Sequence, residues 1–495
     1  MRFKVKDLNI SGGSHYVVVM SEETAALEGV HVSSRVRLAD HTKNIIAVVD
    51  IAEKGVLDRY ELGLFNEVAE VLRVKNGDYV EAVPVSQPKS IEYIKKKLDG
   101  LELTALEIEA IVSDIIKNRL SQVEMSAFVT ACYTRELTMN ETYYLTRSVV
   151  DTGCVINFGK GVIADKHCVG GISGNRTTMV LVPIIASLGL TIPKTSSRSI
   201  TSPSGTADTM EVFAPVELTL KRIKSVVKKA GGCIVWGGNM NLAAADDKLI
   251  SIRHPLSLDP LGLMLASIMA KKKAVGSTHV IIDIPLGVGA KTKSIGEAKY
   301  LGGQFEELGK RLGINVKVLI TEGNKPIGRG IGPSLEARDV AWVLEGDPQG
   351  PIDLRDKSLY LAGELLELCG KASPGEGLLM AREALDSGRA LAKFKEIVKL
   401  QGGKYKSGAS LKPGKFSQEV KSTRKGMIMS INDDLISIVA RMAGAPLDKG
   451  AGVYLHKTVD EYVLKGQLLM TVYADNERLL KEAVNKVSKG LFVIK

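Results

Sequence analysis

Disulfide chemistry has little to work with in this chain. Its 495 residues include five cysteines, Cys132, Cys154, Cys168, Cys233 and Cys369, and no two are spaced as C-x-x-C. A scattered, odd set argues against a disulfide framework or a zinc site and for reduced thiols in a cytosol. Aromatic residues are sparse as well, at 5%, which weakens the case for a surface that stacks nucleic-acid bases. Charge is not one-sided: 66 Lys and Arg against 56 Asp and Glu leave a formal +10. That excess is modest for the length and suits a polyanionic small molecule at least as well as a nucleic acid. Long apolar runs are missing too. The longest, Met179 to Ile192, has the length of a buried helix and falls short of a membrane span. The opening MRFKVKDLNISGG has no apolar signal core, so a cytoplasmic protein is expected. Disorder is excluded by a 45% hydrophobic content with 25% charged residues.

What is present falls into four blocks. Residues 1–85 read as short strands and turns: Tyr16–Met20 and Ile45–Val49 are β-rich, and Asn76-Gly77-Asp78 turns the chain into the alternating Tyr79–Ala82. A β-rich, barrel-like domain is expected. In residues 86–155, Thr104-x-x-Glu107, Ser121-x-x-Glu124 and Thr138-x-x-Glu141 are capping-box signatures, 17 residues apart, each followed by apolar residues at helical spacing. That spacing predicts a small helical bundle. Leu256 to Lys273 again reads as helix and is expected to rejoin the bundle, within 242–275. Residues 156–425 alternate Gly-rich loops with apolar strands such as His279–Ile284 and Val316–Ile320, as in an α/β domain whose central sheet is covered on both faces. The basic tract 401–425 reads as a flexible, solvated linker. Residues 426–495 read as a small α+β domain with its clearest helix at Glu477–Lys489. The expected fold class is multidomain α/β plus α.

Four stretches combine Gly, Ser and Thr with cations. The first is Lys166-His167-Cys168-Val169-Gly170-Gly171-Ile172-Ser173-Gly174-Asn175-Arg176-Thr177-Thr178, just ahead of the apolar helix. Glycines let backbone N–H groups close on an anion, and a helix N-terminus favours negative charge. No Gly-Lys-Ser/Thr closes the stretch, so it is not a Walker A loop. By itself it reads equally as a phosphate loop or as a structural strand-to-helix turn. The second runs from Thr195 to Asp208, where nine of fourteen residues are Ser, Thr or Gly. Its hydroxyls and amides can donate to phosphate and ribose, and Arg198 can pair bidentately with phosphate. The plain alternative is a polar surface loop. Arg253–Pro260 with Ser267 and Lys271-Lys272-Lys273 is the third stretch, and Gly287-Val288-Gly289-Ala290-Lys291 the fourth. Both are weaker signals, since a lone Asp, Ser or Lys is usually a cap or a surface group.

Together these residues carry a resemblance. Ser196-Ser197-Arg198-Ser199-Ile200-Thr201-Ser202-Pro203-Ser204-Gly205-Thr206-Ala207-Asp208-Thr209-Met210-Glu211 closely resembles the signature of the thymidine and pyrimidine-nucleoside phosphorylase family, departing from it at Ser199, Pro203, Ser204 and Met210. Lys166-His167-Cys168-Val169-Gly170-Gly171 is similar to that family's Lys-His-Ser-x-Gly-Gly phosphate loop, with Cys168 in place of serine. Pro326–Gly332 and Asp448–Gly452 also look familial. The match covers about residues 90–495. The β-rich extension before it and Leu256-Ser257-Leu258-Asp259-Pro260 resemble the AMP phosphorylase branch of archaea. Where the nucleoside enzymes use an arginine for the pyrimidine, counting back from Ser267 reaches Ile252, one position from Arg253.

The resemblance implies phosphorolysis of a nucleoside 5′-monophosphate (AMP, also CMP and UMP) to free base and ribose 1,5-bisphosphate. Asp259 is implied as the proton donor to the leaving base, which requires a carboxyl group whose environment favours the protonated form. Substrate contacts are implied at Gly171, Ser197, Arg198, Ser199, Ile200, Thr201, Ser202, Thr206, Ser267 and Lys291, and from the phosphate loop at Lys166, His167 and Thr178. No metal or redox cofactor is called for, inorganic phosphate being a substrate. The implied partners are the nucleotide, phosphate and further copies of the chain, as a homodimer or larger homo-oligomer, with no nucleic acid and no membrane. Competing readings are a nucleoside phosphorylase indifferent to the 5′-phosphate, an anthranilate-type phosphoribosyltransferase, a nucleotide-binding regulator, and a nucleic-acid binder using the 401–425 tract.

Overall fold

A period of two closes the N-terminal strands on themselves. In the computed structural model, β1 (Arg2–Asp7), β2 (Val17–Ser21), β3 (Arg35–Ala39), β4 (Asn44–Ala52), β5 (Glu61–Leu64) and β6 (Tyr79–Val85) form a closed barrel in the order β1-β5-β2-β4-β3-β6. Pairs β1/β5 and β2/β4 are parallel and the other four antiparallel. Phe3 and Val5, Val18 and Met20, Val36 and Leu38, and Val80 and Ala82 are i, i+2 pairs buried in its core. Closure leaves no free sheet edge. The structure describes residues 1–13, 16–40, 43–199, 202–240, 242–487 and 490–495. They divide into two units, Met1–Cys154 with Ala243–Ala270, and Val155–Leu242 with Lys271–Lys495.

In the first unit all three capping boxes are formed. Thr104, Ser121 and Thr138 each accept from the backbone N–H three residues on, and Glu107, Glu124 and Glu141 each return to the capping residue's N–H. They start the helices Ala105–Ile116, Gln122–Thr134 and Met139–Asp151, which pack with a further helix, Ser90–Leu98. Ile108, Ile111, Phe128 and Val129 share one core with Leu249, Ile252, Leu263 and Ala266 from the later segment. That segment is not one helix from Leu256. It is two, Ala244–Arg253 and Leu261–Ala274, separated by a turn in which Ser257 takes φ 52. Pro260 explains the break: it disfavours helical geometry at Asp259. Arg35 on β3 joins barrel and bundle, donating from Nε to the Arg119 carbonyl at 2.8 Å and pairing with Glu124.

The second unit is built on parallel strands. β7 (Ala164–Cys168), β10 (His279–Leu286) and β11 (Asn315–Glu322) form one sheet in the order β11-β10-β7, and β8 (Ile192–Ser196) pairs with β9 (Gly232–Trp236). A parallel bridge between Ile163 and Thr191 links β7 to β8. β10 is buried from Val280 to Pro285, whereas β11 is an edge strand and largely half-exposed, so full cover is confined to the centre of the sheet. The apolar run at Met179 holds a buried helix, Thr177–Ser187, then a turn through Gly189, then the start of β8.

The basic tract 401–425 is not a flexible linker. Tyr405 stacks on Phe213 with centroids 5.9 Å apart, and its hydroxyl donates to Glu345 at 2.7 Å. The strand Phe416–Lys421 pairs antiparallel with Leu468–Ala474. Charge counting overlooks what Tyr405 and this strand pairing anchor. In the C-terminal region, the helices Asp433–Met442 and Glu477–Asn485 pack over a core that includes Ile436, Val439 and Leu480. The second helix stops at Asn485, and the expected end at Ser488 and Lys489 lies outside the described residues. Among the described residues, no helix is long and apolar enough to cross a membrane.

Lys97 and Glu141 form a fully buried pair in the bundle, with Nζ 2.9 and 2.8 Å from the two carboxylate oxygens. Removing one partner strands the other charge. Lys97→Met should lower the stability of the first unit by about 3–5 kcal/mol, read as a lower urea midpoint for its unfolding; an unchanged midpoint would contradict this role.

Candidate functional site

The first unit contributes a polar chain around Asp259. The turn His254–Pro260 presents the Asp259 carboxylate, which accepts from Arg253 at 3.1 Å. The other face of the Arg253 guanidinium lies 3.9 Å from Asp246, and Asp246 accepts from the Ser267 hydroxyl at 2.6 Å. Asp246 and Arg253 lie on Ala244–Arg253 and Ser267 on Leu261–Ala274, so two helices and their connecting turn fix these groups. Arg253 and Asp246 are nearly buried while the Asp259 side chain is 40% exposed, which leaves the carboxylate reachable by a ligand. Sequence reasoning singled out Asp259 and Ser267 but missed Asp246, the residue that ties Ser267 to Arg253.

The other site residues are in the second unit, and buried charge shapes them. Asp165 on β7 is fully buried and accepts from Lys272 at 2.8 Å and Ser277 at 3.2 Å, with Lys194 at 3.6 Å. Burial pushes its carboxyl up, but Lys272 and Lys194 outweigh burial and hold it below the usual carboxylate range. Asp283 on β10 has Lys357 at 3.3 Å, Lys166 at 3.6 Å and the Thr321 hydroxyl at 2.6 Å, with the same net effect. Lys194, buried and facing Lys272, is pushed down to about 7. His167 is held well below its ordinary value by burial first, and then by Lys272, Lys194, Lys166 and Lys271. It therefore stands as a neutral imidazole amid cations.

On this base sits the glycine-rich turn after β7. Gly170, Gly171 and Gly174 take φ values of +103, +98 and +71. A Cβ on Gly171 would lie 2.6 Å from the Lys291 backbone nitrogen, so the fourth stretch is pressed against the first and only glycine fits between them. Lys166 reaches across to donate to the Thr177 hydroxyl at 2.9 Å, at the first turn of the helix Thr177–Ser187. Thr178 is on the same turn. Asn175 bonds both Thr177 and Cys168, at 3.0 and 3.3 Å. Three elements thus converge on one short turn: the Lys166 ammonium, the helix N-terminus and the Lys291 backbone. Positive charge and backbone amides brought together in this way are the elements that favour an anion.

The second stretch is locked by carboxylates. Asp208 accepts from the backbone N–H of Ser199 and Gly205 at 2.7 and 2.8 Å, and from Arg198 at 3.1 Å. Arg198 also pairs bidentately with Glu211, bonds Glu217 and lies over the Trp236 ring. Its guanidinium is therefore committed to three carboxylates, and the expected bidentate pairing with phosphate is replaced by a pairing with Glu211. The cation that joins the first two stretches is Arg176, which donates to the Ser204 carbonyl at 2.6 Å and the Thr206 hydroxyl at 3.2 Å and pairs with Glu336. It was visible within the first stretch, but nothing local marks its partner Glu336. Ser197, Ser202 and Thr206 fall on this loop, while Ile200 and Thr201 lie outside the described residues.

Burial, and after it the neighbouring Asp283, push the Cys168 thiol up to about 11. It should therefore stay protonated at pH 8 and react with iodoacetamide at least about tenfold more slowly than free cysteine. Peptide mass spectrometry after timed alkylation measures this, and a rate equal to that of free cysteine would exclude the buried-thiol reading.

Comparisons with known proteins bear on what this arrangement serves. Residues 91–153 match the helical bundle domain of a glycosyl transferase family, residues 160–391 the a/b domain of that family, and residues 427–493 the pyrimidine nucleoside phosphorylase C-terminal domain. Among solved structures, anthranilate phosphoribosyltransferase from Thermus thermophilus superposes with a TM-score of 0.53 at 18% identity, covering 62% of this chain and 98% of that one; this shows a shared fold. A putative thymidine phosphorylase of Legionella pneumophila is 41% identical over 96% of this chain and 91% of its own length. AMP phosphorylase 1 of Archaeoglobus fulgidus is 44% identical over 98% of this chain and 95% of its own length, and AMP phosphorylases of several further organisms match at 42–44%. With barrel, bundle, α/β and C-terminal regions all inside that match, the chain belongs to the AMP phosphorylase family.

Proposed function

We propose that this protein cleaves nucleoside 5′-monophosphates, AMP first among them, with inorganic phosphate. A phosphate oxygen bonds to C1′ as the bond from C1′ to the base nitrogen breaks, the base leaves with a proton, and ribose 1,5-bisphosphate is the second product. CMP and UMP belong to the same substrate class. The observation that carries this reading is the kinship to AMP phosphorylases along 98% of the chain. The chemistry demands two held phosphate groups and one proton. The turn Gly170–Gly174, with Lys166 beneath it and Thr177 and Thr178 beyond it, suits an anion, and His167, held neutral, can donate or accept without changing the charge. The hydroxyls of Ser197, Ser202 and Thr206, together with Lys291, suit the remaining phosphate and ribose oxygens, while the Ser199 hydroxyl is committed to the Ser202 carbonyl. Positioning and electrostatic stabilisation would supply most of the acceleration.

Asp259 is the proposed proton donor. To give its proton to the base, its carboxyl group has to leave the Arg253 guanidinium, which now holds it at 3.1 Å. Arg253 and Asp246 then govern when Asp259 is released, and Ser267 is fixed through the same Asp246. The reaction calls for no redox cofactor and no metal, phosphate being a substrate. Cytoplasmic residence and assembly as a homodimer or larger homo-oligomer belong to the same reading.

The kinship to the Legionella protein supports one second reading, a nucleoside phosphorylase that ignores the 5′-phosphate. Chromatography of free base from AMP, CMP, UMP, adenosine and thymidine, each with and without phosphate, separates the two. Phosphate-dependent adenine release from AMP with adenosine inert is expected; equal release from thymidine would install the second reading. Asp259→Asn should lower kcat on AMP by about a hundred- to ten-thousandfold with little change in KM, and a kcat within about threefold of the parent would remove Asp259 from the acid role.

A further inference from the structure

The buried carboxylates around the glycine-rich turns are nearly all accompanied by a cation. Asp165 has Lys272 and Lys194, Asp283 has Lys357 and Lys166, Glu336 has Arg176, and Asp208 has Arg198. Asp339 and Asp433 are different: each is buried, has no Lys or Arg ion pair among the described residues and keeps one oxygen without a hydrogen-bond partner there. Asp339 serves the turn at Arg329 and Gly330, whereas Asp433, which opens the helix Asp433–Met442 of the C-terminal region and is 8% exposed, reaches the first stretch. One of its oxygens accepts from the backbone N–H of Ser173, inside the phosphate turn, at 2.8 Å. The other is buried with no hydrogen-bond partner among the described residues. One helical turn further on, Ser437 shares a hydroxyl–hydroxyl bond of 2.9 Å with Ser173. Asp433 also closes on the fourth stretch: a Cβ on Gly289 would lie 3.3 Å from the Asp433 Cβ.

A buried carboxylate without a cation is expensive, and burial pushes this one up to about 6. Retaining it beside a turn meant for anions needs a reason. The geometry supplies one. The turn has to point some of its N–H groups outward to a ligand, and a free N–H at Ser173 would let the peptide rotate. A carboxylate is the strongest acceptor that can hold that N–H inward. Because the same side chain packs against Gly289, it sets the spacing between the first and fourth stretches, which already touch at Gly171 and Lys291.

We propose that Asp433 is a positioning residue for phosphate binding: from the C-terminal region it holds Ser173 and Gly289 so that the Gly170–Gly174 turn keeps its anion-receiving shape. The inference rests on the proposed function only for the identity of the anion. Two measurements test it. The first is steady-state phosphorolysis of AMP with phosphate and AMP varied in turn. Asp433→Ala should raise the phosphate KM about tenfold or more while the AMP KM stays within about twofold. Asp433→Asn keeps an acceptor oxygen in place and should restore the phosphate KM to within about threefold of the parent. Asp433→Glu keeps the charge but moves the oxygen by one methylene, and should fail as the alanine variant does. An unaltered phosphate KM in Asp433→Ala, equal rises in both KM values, or a fully active Asp433→Glu would each overturn the proposal. If Asp433→Ala does not fold, the contrast between the Asn and Glu variants decides alone. The second measurement is calorimetric titration of the parent and the Asn and Glu variants with inorganic phosphate, without nucleotide. A parent that binds phosphate but releases no base from AMP would sink the proposed function and leave this inference standing on the binding contrast; equal phosphate affinity in all three proteins would sink the inference alone.

Discussion

A backbone N–H turned inward must meet an acceptor, and that requirement organises the second unit. Gly-rich turns supply flexibility and close approach, but they forgo the ladder bonds that satisfy helices and strands. Here buried carboxylates take the place of the ladder. Asp208 holds Ser199 and Gly205, Asp339 holds Arg329 and Gly330 at 2.7 Å each, Asp433 holds Ser173, and Glu336 holds Gly332 at 3.2 Å. Each carboxylate fixes a loop from its inner side, so the outer amides and hydroxyls are free to be arranged for a ligand.

Placing carboxylates beside turns proposed to receive an anion creates a second requirement, since their charge repels an anion. Lysine answers it. Among the described residues, Lys166, Lys194, Lys272 and Lys357 crowd around two carboxylates, Asp165 and Asp283, and of the four Lys166 also reaches the start of the helix that follows the Gly170–Gly174 turn. These cations set the protonation of their neighbours. His167 is kept neutral, and Lys194 is itself pushed down to about 7 by burial and by Lys272. Cys168 escapes this pull, because burial and Asp283 outweigh Lys166 and Lys357 and keep the thiol protonated.

How much of this was legible in the sequence depends on how local the signal is. The capping boxes at Thr104, Ser121 and Thr138 are complete within four residues, and all three form. The alternating barrel strands are likewise local. The glycine-rich stretches announce turns because only glycine tolerates the backbone that Gly170 and Gly171 adopt. What could not be read was long-range pairing. Glu336 meets Arg176 across 160 residues and Asp433 meets Ser173 across 260. The tract 401–425 misleads for the same reason: its lysines are local, but the partners that order it, Phe213, Glu345 and Leu468–Ala474, are not.

The same distinction changes what the signature means. Arg198, Asp208 and Glu211, all matching positions, are bound to one another, to Glu217, to Lys449 and to the loop backbone. They specify the shape of the loop, so a match there argues for a shared scaffold more than for a shared ligand contact. Discrimination among ligands then has to come from what varies on that scaffold. At Ser199 and Ser204, two of the positions where this chain departs from the signature, it carries hydroxyls that bond back to the protein: Ser199 donates to the Ser202 carbonyl, and Ser204 bonds the Thr209 hydroxyl at 2.8 Å. These bonds tie the Ser199 and Ser204 side chains to the scaffold. A side chain already tied in this way has fewer arrangements open to it and pays less ordering entropy when a ligand arrives. Side chains that never touch a ligand can therefore still shape how a loop receives one.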